Sequence, residues 1–443
     1  MAPLLYGINK MVLIDQKQKI TTREWVEGGE RLVFPQGFFW GTATSAYQVE
    51  GNNKNSDWYL WERDGNIEDG QLMGTGPDHY RLFKEDLSLA AKLNNNCFRL
   101  SLEWSRIEPQ DGQFDQKEIE HYRQVLQTAK KLGLQTFVTL HHFTNPLWFY
   151  YRGGWLNSEA PSLFHSYIVK VARELGSLVD FWLTINEPII YAWQSYGVGI
   201  WPPGESSLWQ TRKVVKHLAE AHDLAYRAIH QLLANQPTVR VGMAQNASSF
   251  QLHRTYSLSD QIYIRLMNYY FNHWFYDLTK GTHDFLGLNY YFHTRLQKGH
   301  WRQPQFINAA SLGREVSDMG WEVYPHGLFE VLQEMSAYHL PIYVTENGIA
   351  TNDEQQRAMY LIRHVQEIYY ALQIGVPVKG FLYWSLLDNW EWDKGYWPHF
   401  GLVGYQEKTK KRIIKPAAKI YAQIAQQNAL TKKIFQQARG INN

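Results

Sequence analysis

The sequence has 443 residues, of which 44% are hydrophobic and 19% charged, with a formal net charge of +2. That is too apolar for a disordered chain, and the charge balance gives no electrostatic case for nucleic acid or an anionic membrane surface. The single cysteine, Cys97, excludes an intramolecular disulfide and fits a reducing compartment.

No apolar run approaches the roughly 18 residues of a membrane span. The apolar patch within Met1–Ile14 has no basic stretch ahead of it, so no signal peptide is expected and the default location is cytoplasmic. Aromatic residues make up 15% of the chain, with 18 Trp. An aromatic-rich core is the ordinary explanation. Sugar binding is the other, because the C–H faces of a pyranose pack on flat rings.

Residues 1–33 show little periodicity and are expected to be an N-terminal extension on the surface, with at most a short strand or helix. From Phe38 a rhythm begins in which short β-rich segments alternate with longer segments of helical period. The strands are expected at Phe38–Gln48, Phe98–Trp104, Gln135–Phe143, Asp180–Pro188, Thr238–Asn246, Asp284–Tyr291, Pro341–Gly348 and Val378–Leu386. The intervening helices are expected at Asp78–Leu93, Lys117–Leu132, Pro161–Leu175, Arg212–Leu233, Ser259–Leu278, His326–Tyr338 and Glu354–Gln373. Pro416–Gln427 follows the last strand, with its proline suited to a first helical turn.

Eight uninterrupted β-then-α units predict a (β/α)8 TIM barrel of the α/β class, formed by residues 34–430 as one domain. Long loops are expected at about 49–78 and 292–320, and residues 431–443 are expected to be a C-terminal tail. The first strand is followed by Glu50-Gly-Asn-Asn-Lys54, which is not a dinucleotide fingerprint.

In a parallel barrel the chemistry sits at the carboxyl ends of the strands. Polar residues collect there: Gln48, Arg99 (earlier on its strand), His142, Asn186 with Glu187, Asn246, Asn289 with Tyr291, and Glu346 with Asn347. The fourth and seventh strands lie across the mouth from one another, so Glu187 and Glu346 are expected to face one substrate, as the two carboxyl groups of glycoside hydrolysis must. Their protonation states must differ, one ionised by a neighbour and the other kept protonated. Arg99 and Tyr291 are the candidate neighbours. His141 and His142 adjoin on a strand and so face opposite sides, which argues against a shared metal ion; no metal or cofactor is expected.

Six motifs carry a family resemblance: Phe38-Phe-Trp-Gly-Thr-Ala-Thr-Ser-Ala-Tyr-Gln-Val-Glu-Gly51, Phe98-Arg-Leu-Ser-Leu-Glu-Trp-Ser-Arg106, Thr184-Ile-Asn-Glu-Pro188, Phe285-Leu-Gly-Leu-Asn-Tyr-Tyr291, Thr345-Glu-Asn-Gly348 and Tyr383-Trp-Ser-Leu-Leu-Asp-Asn-Trp-Glu-Trp392. In order, and each on or beside an expected strand, they make the chain from Phe34 to Gln427 resemble glycoside hydrolase family 1, the β-glucosidase-type retaining enzymes. The resemblance implies a nucleophile at Glu346 and an acid/base at Glu187, with Arg99 and Tyr291 tuning the nucleophile. It implies sugar contacts from Gln48, His142, Asn186, Glu391 and Trp392 and a stacking floor at Trp384. Asn289 joins the candidate substrate contacts, and Trp321 resembles the aglycone-side tryptophan.

Three departures bear on specificity. His142-Phe143-Thr144 stands where the family commonly has His-Trp-Asp, so one aromatic wall is expected to be smaller. Ile189 follows the Asn-Glu-Pro run where many members carry an aromatic residue, which makes the leaving-group subsite more aliphatic. Glu391 is present, and Trp397-Pro-His399 stands where phosphosugar enzymes often have a basic pair, so phosphosugars are disfavoured. The expected activity is hydrolysis of β-glucosides, and of galactosides or fucosides, with retention. Transglycosylation by the same double displacement is the alternative, and a non-catalytic glycan-binding barrel is a third reading. The expected partner is a small-molecule or oligosaccharide β-glycoside.

Overall fold

The computed structural model describes residues 31–236, 238–252, 258–297, 305–306 and 308–441. Eight parallel strands close into a barrel: β1 (Phe39–Ala43), β2 (Cys97–Ser101), β3 (Gln135–His141), β4 (Phe181–Asn186), β5 (Arg240–Asn246), β6 (Leu286–Asn289), β7 (Ile342–Asn347) and β8 (Val378–Trp384). Each pairs with the next in sequence, and β8 closes on β1 with Gly380 opposite Phe39 and Trp384 opposite Ala43. One main helix follows each strand, with shorter helices between: α1 (His79–Lys92), α2 (Gln116–Lys131), α3 (Ala160–Leu175), α4 (Leu208–Leu232), α5 (Leu258–Asn268), α6 (Pro325–Met335), α7 (Glu354–Gln373) and α8 (Pro416–Gln427).

The helix ends follow local chemistry. Asp115 caps α2 by accepting from the Lys117 N–H, and Gly133 just past its end has φ +77°. Asp353 caps α7 by accepting from the Gln356 N–H. The expected helix over 259–278 is interrupted: α5 passes into a π-helical turn at Tyr269–His273 before Trp274–Leu278.

Inside the barrel, Phe137, Phe181, Phe285 and Tyr343 form an aromatic plug with Phe39 against it. Phe137 and Phe181 stack with centroids 4.2 Å apart. These residues sit at or near the amino ends of their strands, so the plug closes the bottom and leaves the next inward positions free for polar groups. Arg99, two residues beyond Cys97 on β2, takes one of them.

Several expected boundaries change. The first strand ends at Ala43, and Ala46–Glu50 is a one-turn helix, so Gln48 lies on a helix rather than at a strand end. The second strand ends at Ser101, and Trp104 begins another short helix. The 49–78 stretch contains a capped helix, Asp57–Arg63. Within 292–320, His293–Gln297 pairs with Ser249–Leu252 and Gln305–Phe306 in a small sheet.

The extension holds the short strand allowed for it, and the C-terminal end is more ordered than expected. Arg31–Val33, assigned to the extension, pairs antiparallel with Ala429–Thr431. The expected C-terminal tail holds a helix, Lys432–Arg439, with Ile434 and Ala438 buried. Residues 1–30 lie outside the described residues.

Candidate active site

The two glutamates reach the barrel mouth through irregular strand ends. In β7, Val344 pairs with Leu288 and Glu346 with Asn289, so Thr345 is an extra residue in the ladder. Such a bulge re-aims side chains. Here it lets Thr345 and Glu346 both meet groups inside the barrel. In β4 the register shifts between Leu183 and Asn186. Glu187 then takes a left-handed conformation (φ 43°) as the cap residue before the helix Pro188–Ala192. Its N–H donates to the Ala244 carbonyl on β5 at 2.7 Å.

The surroundings of the two carboxyls differ in kind. Glu346 Oε1 accepts from Arg99 Nη1, and Oε2 accepts from the Tyr291 hydroxyl at 2.8 Å. Arg99 has no exposed surface; it also donates to Asn186 Oδ1 at 2.7 Å, to Thr139 Oγ1 at 3.1 Å and to the Thr345 carbonyl at 3.3 Å. Among the described residues Glu187 forms no ion pair. Its Oε1 accepts from Asn289 Nδ2 at 2.7 Å and from Asn246 Nδ2 at 3.1 Å. Burial and the charge of Glu346 push the Glu187 carboxyl up to about 8. Burial also raises Glu346, but Arg99 and the hydrogen bond from Tyr291 oppose it. The guanidinium makes Glu346 the group that ionises first, and its charge then holds the proton on Glu187.

Asn289, expected among the substrate contacts, has no exposed surface. Its amide donates to Glu187 and to Asn186 Oδ1 (3.2 Å), and its Oδ1 accepts from the Thr345 hydroxyl at 2.7 Å. It is therefore a connector between the two strand ends.

A second group faces the same mouth. Gln48 Nε2 donates to the Trp390 carbonyl (2.6 Å), Asn389 Oδ1 (3.1 Å) and Glu391 Oε2 (3.4 Å), while Ser45 donates to its Oε1 at 2.6 Å. The loops after β1 and β8 are thus tied together. Burial and the charges of Glu346, Asp393 and Glu187 push Glu391 well above the usual carboxylate range. The His142 ring lies near parallel to both Trp384 (5.9 Å, 15°) and Trp392 (6.0 Å, 17°), and its Nε2 meets the Asn186 amide at 3.3 Å. Burial and Arg99 hold His142 neutral. His141 points away and meets Asn145 at 3.1 Å, as its position on the strand implies.

Phe143 packs on Trp392 at 5.1 Å, and Trp201 completes that wall at 4.9 Å from Phe143 and 5.9 Å from Trp392. Sequence reasoning did not anticipate Trp201, because its loop carries no local signal. Trp321 lies 6.0 Å from Tyr291 and 4.4 Å from Phe292. Ile189 is largely buried in the main core, with 6% exposure. Asn246 at its strand end and Thr345 within its motif carry no sequence mark of these contacts. Neither contact is local in sequence.

The comparisons with known proteins agree with this geometry. The model of glycosyl hydrolase family 1 matches residues 30–281 and 271–430. The chain is 30% identical to β-glucosidase A of Thermotoga maritima, over 90% of this chain and 98% of the relative. It is 30% identical to a β-galactosidase of Saccharolobus solfataricus, over 90% and 96% of the two chains. Among solved structures, a β-glycosidase from Pyrococcus horikoshii superposes with a TM-score of 0.85 at 32% identity, covering 93% of this chain and 99% of that one. With closed barrel, paired glutamates and family model in agreement over most of its length, the chain belongs to glycosyl hydrolase family 1.

Proposed function

We propose that the chain is a retaining β-glycosidase acting on terminal, non-phosphorylated β-D-glycosides, with Glu346 as nucleophile and Glu187 as acid/base. The observation that carries the assignment is the asymmetry of the pair: a guanidinium and a phenol on Glu346, amides alone on Glu187. A cation-stabilised carboxylate suits attack, and a carboxyl kept protonated near neutrality suits proton donation. Asn289 donates to Glu187 and accepts from the hydroxyl of Thr345, the residue before Glu346, which supports the close pairing that retention needs.

In the first step Glu187 gives its proton to the glycosidic oxygen while Glu346 attacks the anomeric carbon. The aglycone leaves as an alcohol and the sugar stays on Glu346 as an ester. In the second step Glu187 takes a proton from water, whose oxygen attacks the same carbon and releases Glu346. Gln48, His142, Asn186 and Glu391 supply polar contacts to the glycone, and Trp384 and Trp392 its flat walls; Trp321 and Ile189 belong to the aglycone side. Two relatives carry glucosidase and galactosidase names, so glucosides and galactosides, with fucosides, form the test panel.

The cations near β8 support neutral sugars. Lys415 Nζ lies 2.8 Å from the Asp388 carboxylate, and Lys394 Nζ lies 2.6 Å from Glu68. Each already has a carboxylate partner, and a phosphate would also meet Glu391.

The testing variant is Glu187→Ala. On a dinitrophenyl β-D-glucoside, whose leaving group needs no proton, the glycosyl-enzyme is expected to form near the wild-type rate and then accumulate. On unsubstituted phenyl β-D-glucoside, kcat/KM is expected to fall about 10²- to 10⁴-fold. Azide should restore turnover and yield the β-glycosyl azide, read by NMR. Equal losses on both substrates without rescue would place the acid elsewhere. In the wild type the basic limb of kcat/KM is expected near pH 8, where Glu187 loses its proton.

A further inference from the structure

We propose that Asn246 is a positioning residue that, with Asn289, fixes the acid proton on Oε2 of Glu187. The inference rests on the assignment of Glu187 as the acid/base.

The argument begins at Arg99, whose guanidinium can only donate. The Asn186 atom that it meets at 2.7 Å must therefore be the carbonyl oxygen. That oxygen also meets the Asn289 amide at 3.2 Å, so Asn289 turns its NH2 toward it. The same NH2 reaches Glu187 Oε1 at 2.7 Å. The other end of the Asn289 amide accepts from the Thr345 hydroxyl at 2.7 Å, which agrees with this orientation. One cation thus sets the direction of every hydrogen bond in the chain that ends on Glu187.

Asn246 approaches the same oxygen, donating from Nδ2 at 3.1 Å. A neutral carboxyl has one carbonyl oxygen with two lone pairs and one hydroxyl. Two N–H donors on Oε1 occupy both lone pairs and leave no place for a proton. Among the described residues both hydrogen bonds to the Glu187 carboxyl fall on Oε1. The proton is left on Oε2, the oxygen free to face the glycosidic bond.

Asn246 is well placed for this role. β5 also holds the Glu187 backbone, since the Glu187 N–H donates to Ala244, two residues before Asn246. One strand therefore grips both ends of the acid. Asn289 belongs to the Glu346 network as well, so its loss would disturb both carboxyls. Among the described residues the Asn246 side-chain amide donates to Glu187 alone.

The test compares Asn246→Ala and the isosteric Asn246→Asp with wild type on the phenyl and dinitrophenyl β-D-glucosides across pH. The phenyl substrate is expected to lose about tenfold in kcat/KM, and the dinitrophenyl substrate much less. The amide donor favours the ionised carboxyl, so its removal should move the basic limb to higher pH. Asn246→Asp, which adds a like charge, should move it further. Equal losses on both substrates with an unmoved basic limb would make Asn246 merely structural and overturn the proposal.

A measurement on the wild type keeps the test independent of how the variants fold. The Glu187 carboxyl C=O stretch, assigned by its loss in Glu187→Gln, should show the lowered frequency of a doubly hydrogen-bonded acid. A free-acid frequency would overturn the proposal. Azide rescue of Glu187→Ala separates the two levels. If rescue fails, the assignment of Glu187 falls; if rescue succeeds while the Asn246 variants lose equally on both substrates, only the role of Asn246 falls.

Discussion

Replacing Glu346 with alanine is expected to lower kcat on phenyl β-D-glucoside by at least about 10⁴-fold, because no covalent intermediate can then form. The same variant should regain turnover in azide or formate. Truncation leaves the Arg99 guanidinium buried without its carboxylate, and a small anion fits both the space and the charge. Azide entering from that side attacks the face opposite the leaving group, so the product should be the α-glycosyl azide. The Glu187→Ala variant should give the β anomer instead. The anomeric proton distinguishes them by NMR. An alanine variant that keeps a tenth of wild-type turnover without azide would remove Glu346 from its role.

Arg99→Met should have the next largest effect, and on two observables. The side chain is buried, and its five N–H groups serve Glu346, Asn186, Thr139 and a backbone carbonyl. Removing one partner of a buried ion pair costs about 3–5 kcal/mol, measurable as a fall in the urea midpoint. The pH dependence has a definite sign. Arg99 opposes the effect of burial on Glu346, so its loss raises the folded-state pKa of Glu346 further above the unfolded value. Stability from such a group is fully present below the ordinary glutamate range and is lost as pH rises through the folded pKa. The variant should therefore be least destabilised in acid and increasingly destabilised toward neutrality. The acidic limb of kcat/KM, set by ionisation of Glu346, should move to higher pH. A variant with an unmoved acidic limb would mean that Arg99 does not act on the nucleophile.

The barrel was legible in the sequence because buried parallel strands announce themselves locally. Ile342–Val344 and Phe181–Ile185 are short runs of apolar and β-branched residues ended by polar groups and by Gly348 or Pro188. Gln48 was misplaced because Ala46-Tyr-Gln-Val-Glu50 is too short for period alone to separate strand from helix. The glutamates stood out through their position at strand ends. Their partners divide by distance: Asn186 adjoins Glu187 in sequence, whereas Asn246 and Asn289 meet it from 59 and 102 residues away. The bulge at Thr345 left no mark either, since register depends on the neighbouring strand. Trp201 likewise reaches its wall by tertiary packing.

The closure of β8 on β1 also sets an order of events while the chain is being made. Gln48 waits for Asn389 and Trp390, which lie 341 and 342 residues further along. A nascent chain that has emerged through β7 already carries both glutamates and Arg99. It still lacks Trp384, Glu391 and Trp392, and it has an unpaired strand at each side of an open sheet. Long-range pairing of this kind is slow because chain entropy must be surrendered before the contacts form. The part of the pocket proposed to contact the sugar is thus assembled last, in the same event that removes the two open edges, so completion of the proposed site and protection from aggregation come together.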